Sequence, residues 1–191
     1  MRPPTRNRPK PMLPAATRPI LEHVFDQLID AGIAEIVVVG YRRDRVQSHF
    51  GPTYRNVQFT YVTQEHQFGT GDALLTVESA VDGTYLAING DQIVGSRLIR
   101  ETIDGHEHDA AATLALLQRT DIGEYGSVTV DDGEIMSIVE NPSDWRDYYI
   151  NAGVYVLEPT AFDAVRAAES RNGEHLLVDG LSELVDSGRR V

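Results

Sequence analysis

The chain has 191 residues, 41% of them hydrophobic and 24% charged, ordinary proportions for one globular domain (residues 1–191) large enough to bury a real core. It contains no cysteine, which excludes disulfide scaffolds, thiol nucleophiles and cysteine-ligated zinc or iron–sulfur centres. The net charge is −12, and it is unevenly spread: residues 1–18 carry Arg2, Arg6, Arg8, Lys10 and Arg18 with no acid, while the remaining 12 bases face all 29 acids. An acidic body of this kind repels nucleic-acid backbones, so a nucleic-acid partner is not expected, whereas the basic head suits a small anion. No apolar run approaches a membrane span, and the start lacks the apolar core of a signal peptide, so the expected location is cytoplasmic and off the membrane. Lys10 is the only lysine. An acidic, lysine-poor surface is what a salt-loving cytoplasm would select.

Six of the nine prolines fall in residues 1–19, which excludes helix and regular strand there until near its end. Ile20, Leu21, Val24, Phe25, Leu28 and Ile29 then form a stripe of helical period over about 19–31, with Gly32 suited to its C-terminal cap. Glu35 to Val39 is a short apolar run closed by Gly40, the pattern of a parallel strand covered on both faces. A helix near 42–49 ends at Gly51, and Asn56 to Thr63 is the next strand. The loop Gln64 to Gly71 leads into a helix through about 79. Strand 84–88 runs into Asn89-Gly90-Asp91, and a helix near 96–104 precedes a strand at about 110–118. Residues 127–130 and 134–139 form a hairpin around an Asp-Gly turn. Strand 150–157 and helices near 160–168 and 174–187 follow. The alternation predicts an α/β fold, a mostly parallel sheet flanked by helices, with ligands held outside the carboxyl ends of the strands. The chain opens without a strand and closes on Arg189-Arg190-Val191, which resembles the entry to another, so both ends read as incomplete.

Three segments fall where such a site should lie. In Gln64 to Leu74, a Gln amide can both donate to and accept from a base edge, and Gly69 and Gly71 admit either a flat ligand or a tight turn before a helix. Asp91 in Asn89-Gly90-Asp91 offers a carboxylate of the kind that holds Mg²⁺ together with phosphate oxygens, although the same tripeptide is also a common turn. Glu140-Asn141-Pro142 and Asn151-Ala152-Gly153 could receive sugar hydroxyls, or simply join two strands. His106-Glu107-His108-Asp109 has the composition of a metal cluster but lies between a helix and a strand, and a solvated connector is expected.

Taken in order, Arg2-Pro3-Pro4-Thr5, Arg8-Pro9-Lys10-Pro11-Met12-Leu13-Pro14, Gln64 with Gly69-Thr70-Gly71, Asn89-Gly90-Asp91, Tyr125-Gly126, Val139-Glu140-Asn141-Pro142 and Asn151-Ala152-Gly153 resemble the sugar-phosphate nucleotidylyltransferases. The resemblance runs through nearly the whole chain. Glu174, Leu177 and Asp179 also look like this family's late helix. It implies a Rossmann-like, GT-A-like nucleotidyltransferase fold with a mixed, mostly parallel sheet. It implies transfer of a nucleotidyl group from UTP or dTTP to a sugar 1-phosphate, releasing pyrophosphate. By the same resemblance, Lys10 and Arg2 would act on the phosphates, Asp91 would bind Mg²⁺, and Gln64, Gly69 and Thr70 would hold the nucleotide. Tyr125, Gly126, Glu140 and Asn151 would hold the sugar. The family's first strand, central to its sheet, and its glycine-rich triphosphate loop would precede Met1 and are lacking here. Asn141 stands where the family usually has lysine, and the family's second metal-binding aspartate would lie past Val191. A homo-oligomer is compatible with all of this. Two alternatives are a catalytically inert relative that binds a nucleotide sugar or serves a regulatory role beside an active subunit, and a glycosyltransferase of similar sheet topology, which would need a second carboxylate beside Asp91.

Overall fold

The computed structural model describes residues 9–40, 43–119, 127–139, 148–170 and 173–191. A 3-10 turn at Lys10–Met12 leads into two short paired strands, β1 (Pro14–Ala15) and β2 (Arg18–Pro19), and then helix α1 (Ile20–Asp30). The predicted stripe of α1 is its buried face: Leu21, Val24, Phe25 and Leu28 are all in the core. The helix stops at Gly32, whose φ of +98° is open to glycine at little cost. Strand β3 (Glu35–Gly40), helix α2 (Arg43–Phe50), strand β4 (Thr53–Tyr54) and strand β5 (Val57–Thr63) follow. Phe25 packs edge-on against Phe50 and Phe59, with ring centroids 4.9 and 4.5 Å apart, locking α1 onto α2 and β5.

The polar face of α1 is organised around Asp26. Its carboxylate accepts hydrogen bonds from Arg18 at 2.7 Å, Tyr54 at 3.0 Å and Arg55 at 3.1 Å. Burial pushes this carboxyl up, and the three hydrogen bonds more than reverse that, leaving it below the usual value. Burial and the same carboxylate push the Tyr54 phenol up to about 12. Because the folded pKa of Asp26 lies below its unfolded value near ~3.9, this contribution is whole above that pH and fades as acid protonates the folded carboxylate. Asp26→Asn should therefore lower the Tm by a few degrees at pH 7, with the gap to the unsubstituted chain closing on acidification below about pH 4; thermal melts across pH measure it.

After helix α3 (Thr70–Thr76) the chain forms β6 (Tyr85–Ile88), α4 (Ser96–Asp104), β7 (Ala112–Arg119), the β8 (Ser127–Asp131)/β9 (Glu134–Val139) hairpin, β10 (Tyr148–Leu157), α5 (Thr160–Ala167) and α6 (Leu177–Asp186). Asp132 and Gly133 turn the hairpin with φ of 47° and 84°, the doubly left-handed geometry expected of Asp-Gly. The strands fall into a three-stranded sheet in the order β3-β5-β4 and a five-stranded sheet centred on β10. The pairing is less parallel than the α/β alternation predicts. Only β3 and β5 pair in parallel among the described residues; β10 runs antiparallel to β6, β7 and β8. The helix-linked strands β6 and β7 do run the same way, as a crossover requires. A strand arriving later in the chain wedges between them in the opposite sense.

β3 uses one edge for β5, β6 uses one edge for β10, and neither has a second partner among the described residues. Both line a slot of about 690 Å³, walled by Val37, Val38 and Val39 on one side and Leu86, Ala87 and Ile88 on the other. These strands carry the continuous apolar pattern of central strands, yet Val37–Val39 and Tyr85–Ile88 are only half-buried.

Helices α5 and α6 pack on the larger sheet and meet closely at Gly180, where a Cβ would lie 2.4 Å from Val165 Cγ2. Glu107, His108 and Asp109 are exposed, as expected of a solvated connector, but His106 is largely buried, with its ring nitrogens 2.9 Å from Thr113 Oγ1 and 3.2 Å from Glu158 Oε1. Glu107 and Asp109 pair instead with Arg190. The chain's last residues dock rather than project: Ala111 N–H donates to Arg190 O, and Ile135 N–H donates to Val191 O. Among the described residues no helix is long and apolar enough to cross a membrane.

Candidate active site

β3 and β5 end side by side, and the end of β6 lies beside the first half of β10. Gln64 directly follows β5, and its N–H reaches Gly40 O at the end of β3. Its side chain is buried, with Nε2 donating to Gly69 O at 3.1 Å and to an Asp72 carboxylate oxygen at 2.8 Å. Both partners are pure acceptors, so the amide orientation is fixed: the NH₂ faces inward, and Oε1 remains for a donor.

The two glycines of this loop serve a close approach within the chain. Gly69 has φ of +105°, and a Cβ there would sit 2.2 Å from His175 O. A Cβ on Gly71 would lie 2.9 Å from Val165 Cγ1 and 3.0 Å from the same carbonyl. The loop pairs with that segment through His175 N–H to Phe68 O at 2.6 Å and Gly71 N–H to His175 O at 2.9 Å. The Thr70 hydroxyl oxygen accepts from Leu177 N–H at 3.0 Å, capping the start of α6 from outside the helix. In this structure Thr70 thus anchors the loop to α6. Next to it, the exposed Phe68 ring stacks on His66, centroids 5.1 Å apart and ring planes nearly parallel. Sequence reading passed over this pair; two rings two residues apart in a Gly-bearing loop were the available signal.

At the end of β6, Gly90 lets the Lys10–Met12 turn settle onto the strand: a Cβ would meet Leu21 Cδ1 at 3.3 Å and Pro11 Cγ at 3.5 Å. The turn is held by Met12 N–H to Pro9 O and Leu13 N–H to Lys10 O, at 2.9 and 3.0 Å. Pro11 lies against Gly90, and the adjacent side chains meet: Lys10 Nζ is 2.5 Å from Asp91 Oδ2. Lys10 and Asp91, expected at the phosphates and at Mg²⁺ respectively, are here in direct contact. The lysine side chain is 70% exposed and the aspartate 28%, so the pair opens to solvent.

Asn151 lies inside β10, beside the end of β6. Its Oδ1 accepts from Gly153 N–H and its Nδ2 donates to the Tyr155 hydroxyl, both at 2.8 Å, across a shift in the β7–β10 register. Gly153 has φ of +72°, and a Cβ there would lie 2.9 Å from Asn89 Nδ2. Its glycine therefore serves this bulge and its contact with Asn89. One Asn151 N–H remains for a ligand. Arg2, Tyr125, Gly126 and Glu140 lie outside the described residues. No group of three or more His, Cys, Asp or Glu side chains that could hold a metal occurs among the described residues. A single exposed carboxylate nonetheless fits Mg²⁺, which binds through one or two carboxylates when substrate phosphates and water complete its shell.

A family model described as "Nucleotidyl transferase" matches residues 1–191. UTP–glucose-1-phosphate uridylyltransferase AglF of Haloferax volcanii is 34% identical over 197 residues, covering 100% of this chain and 81% of that protein. The bifunctional protein GlmU of Methanococcus maripaludis is 30% identical over 193 residues, covering 99% of this chain but only 45% of its own length. Among solved structures, UDP-glucose pyrophosphorylase complexed with UDP-glucose superposes with a TM-score of 0.85 at 21% identity, over 100% of this chain and 83% of that one. The last likeness establishes the fold. With a match along its whole length and a relative one-third identical, the chain belongs to the nucleotidyl transferase family.

Proposed function

We propose that this chain transfers a uridylyl or thymidylyl group from UTP or dTTP to a sugar 1-phosphate, forming an NDP-sugar and releasing pyrophosphate. The observation that carries this reading is the Lys10–Asp91 pair at the end of β6, 2.5 Å apart. It joins an ammonium suited to phosphate and a carboxylate suited to a metal ion. The names of AglF and of the UDP-glucose complex point to the same substrate class. A phosphate oxygen of the sugar 1-phosphate attacks the α-phosphorus, a new P–O bond forms, and the bond to the bridging oxygen breaks as pyrophosphate leaves. Both reactants are anions, so positioning and charge neutralisation are the main tasks. Lys10 holds α-phosphate oxygens and offsets the charge that develops on them. Bound at Asp91, Mg²⁺ would neutralise and orient phosphate oxygens. The outward Oε1 of Gln64 accepts a ring N–H, a donor that uracil and thymine present at N3 and cytosine does not. Asn151 contributes its remaining N–H on the sugar side. By family resemblance Arg2 assists at the phosphates, and Gly69 and Thr70 contribute to the nucleotide site. Tyr125, Gly126 and Glu140 contribute to the sugar site.

The test is pyrophosphate release from UTP or dTTP with glucose 1-phosphate, with and without Mg²⁺. Asp91→Asn should raise the half-saturating Mg²⁺ concentration by about tenfold or more and lower the rate at saturation. An unchanged Mg²⁺ profile would remove Asp91 from the metal site. A second reading rests on Asn141, which leaves the sugar-phosphate side without the family's usual cation. In that case the chain binds UDP-glucose, measurable by calorimetry, and releases no pyrophosphate under any of these conditions.

A further inference from the structure

The contact between Lys10 and Asp91 has a chemical consequence beyond placing two residues in one site. An oxygen already engaged by an ammonium at 2.5 Å is a poor ligand for a free divalent cation. A metal ion on the same carboxylate would stand a few ångströms from Nζ, and the two positive charges would repel. A nucleoside triphosphate removes the conflict, because its oxygens can receive the ammonium and the metal at once. The geometry points to Lys10 as a counter-ion gate: it holds Asp91 against free divalent cations and yields it to a cation that arrives with a polyphosphate.

The local build allows this exchange without refolding. The backbone on both sides is fixed, by the hydrogen bonds of the Lys10–Met12 turn and by Pro11 resting against Gly90. Only the lysine stem has to move, and it is 70% exposed. A body holding 29 acidic residues draws divalent cations to its surface. The gate keeps the reactive carboxylate from filling before the nucleotide is present. The inference rests on the reading of Asp91 as the metal ligand, and the experiment separates the two.

Mn²⁺, visible by electron paramagnetic resonance, is titrated into the chain and into K10Q, K10M, K10R, D91N and the K10Q/D91N double variant, each with and without UTP. Without nucleotide, K10Q and K10M should bind Mn²⁺ on the order of tenfold more tightly than the unsubstituted chain. K10R, which keeps the charge, should not, and the double variant should lose the gain. With UTP the sign reverses: K10Q and K10M hold the Mn²⁺–UTP complex more weakly, because a phosphate contact is gone. A merely structural lysine would not produce opposite signs. If K10Q and K10M bind free Mn²⁺ as the unsubstituted chain does while D91N weakens the Mn²⁺–UTP complex, the gate is wrong and the metal site stands. If D91N changes neither titration, both readings fall.

Discussion

Lys10→Ala should reduce pyrophosphate release by about 100-fold or more while leaving the thermal unfolding profile almost unchanged. The asymmetry follows from where the side chain sits. It is 70% exposed, and its one described ion-pair partner, Asp91, is itself open to solvent. Such a pair contributes at most about 1 kcal/mol to folding. The turn that carries it is held by backbone hydrogen bonds and by proline against glycine, none of which the substitution touches. In the reaction the same ammonium would face charge building on the α-phosphate, where a preorganised cation contributes far more than a surface ion pair. Lys10→Arg should recover part of the rate, since the charge returns in a wider and flatter head group. A loss of rate accompanied by an equal loss of stability would recast Lys10 as a structural residue. The metal titration adds an independent check, because the variant that loses turnover should gain affinity for free Mn²⁺.

The division between features legible and illegible in the sequence has a physical basis. Local signals carried the elements. The stripe from Ile20 to Ile29 became α1, Asp-Gly became the left-handed turn at Asp132 and Gly133, and strand 84–88 delivered Asp91 to its own end. Motif order brought Lys10 and Asp91 into one site, but spacing could not show that they touch. Contacts between distant segments were out of reach. That β10 would run antiparallel between β6 and β7 depends on a strand arriving long after both. The Gln64 amide is expected both to donate to and accept from a base edge, yet Gly69 O and Asp72 claim its donors, leaving the acceptor. Asn151 was assigned to sugar hydroxyls, and most of its amide serves the bulge around Gly153. His106 looked solvated because its neighbours are charged. Its burial comes from Thr113 and Glu158, partners no local pattern identifies.

Gly69 is the sharpest instance, because one residue fixes the loop geometry and also belongs to the proposed nucleotide site. Gly69→Ala should destabilise the chain by about 3 kcal/mol or more and raise the KM for UTP more than it lowers kcat. Two costs combine. The backbone conformation, φ +105° and ψ −179°, is one that side chains with a Cβ rarely adopt. The new methyl would also point at His175 O, 2.2 Å away, a distance that backbone must move to relieve. The obstacle is a carbonyl held in place by Gly71 N–H, in a segment whose Leu177 N–H is held by Thr70, so it cannot swing aside as a long side chain would. Relief must come from pushing the Phe68–Gly71 loop off the 175–177 segment. That displacement removes the acceptor at Gly69 O that turns the Gln64 amide inward. Gln64 is then free to rotate, and the outward acceptor for a pyrimidine N–H is no longer preorganised. Thr70→Ala separates the two effects: it removes the cap on α6 but leaves Gly69 and Gln64 in place, so it should cost about 1 kcal/mol with a smaller change in KM. If Gly69→Ala melts like the unsubstituted chain and binds UTP equally well, the loop is not clamped by the 175 segment, and Gln64 does not owe its orientation to that clamp.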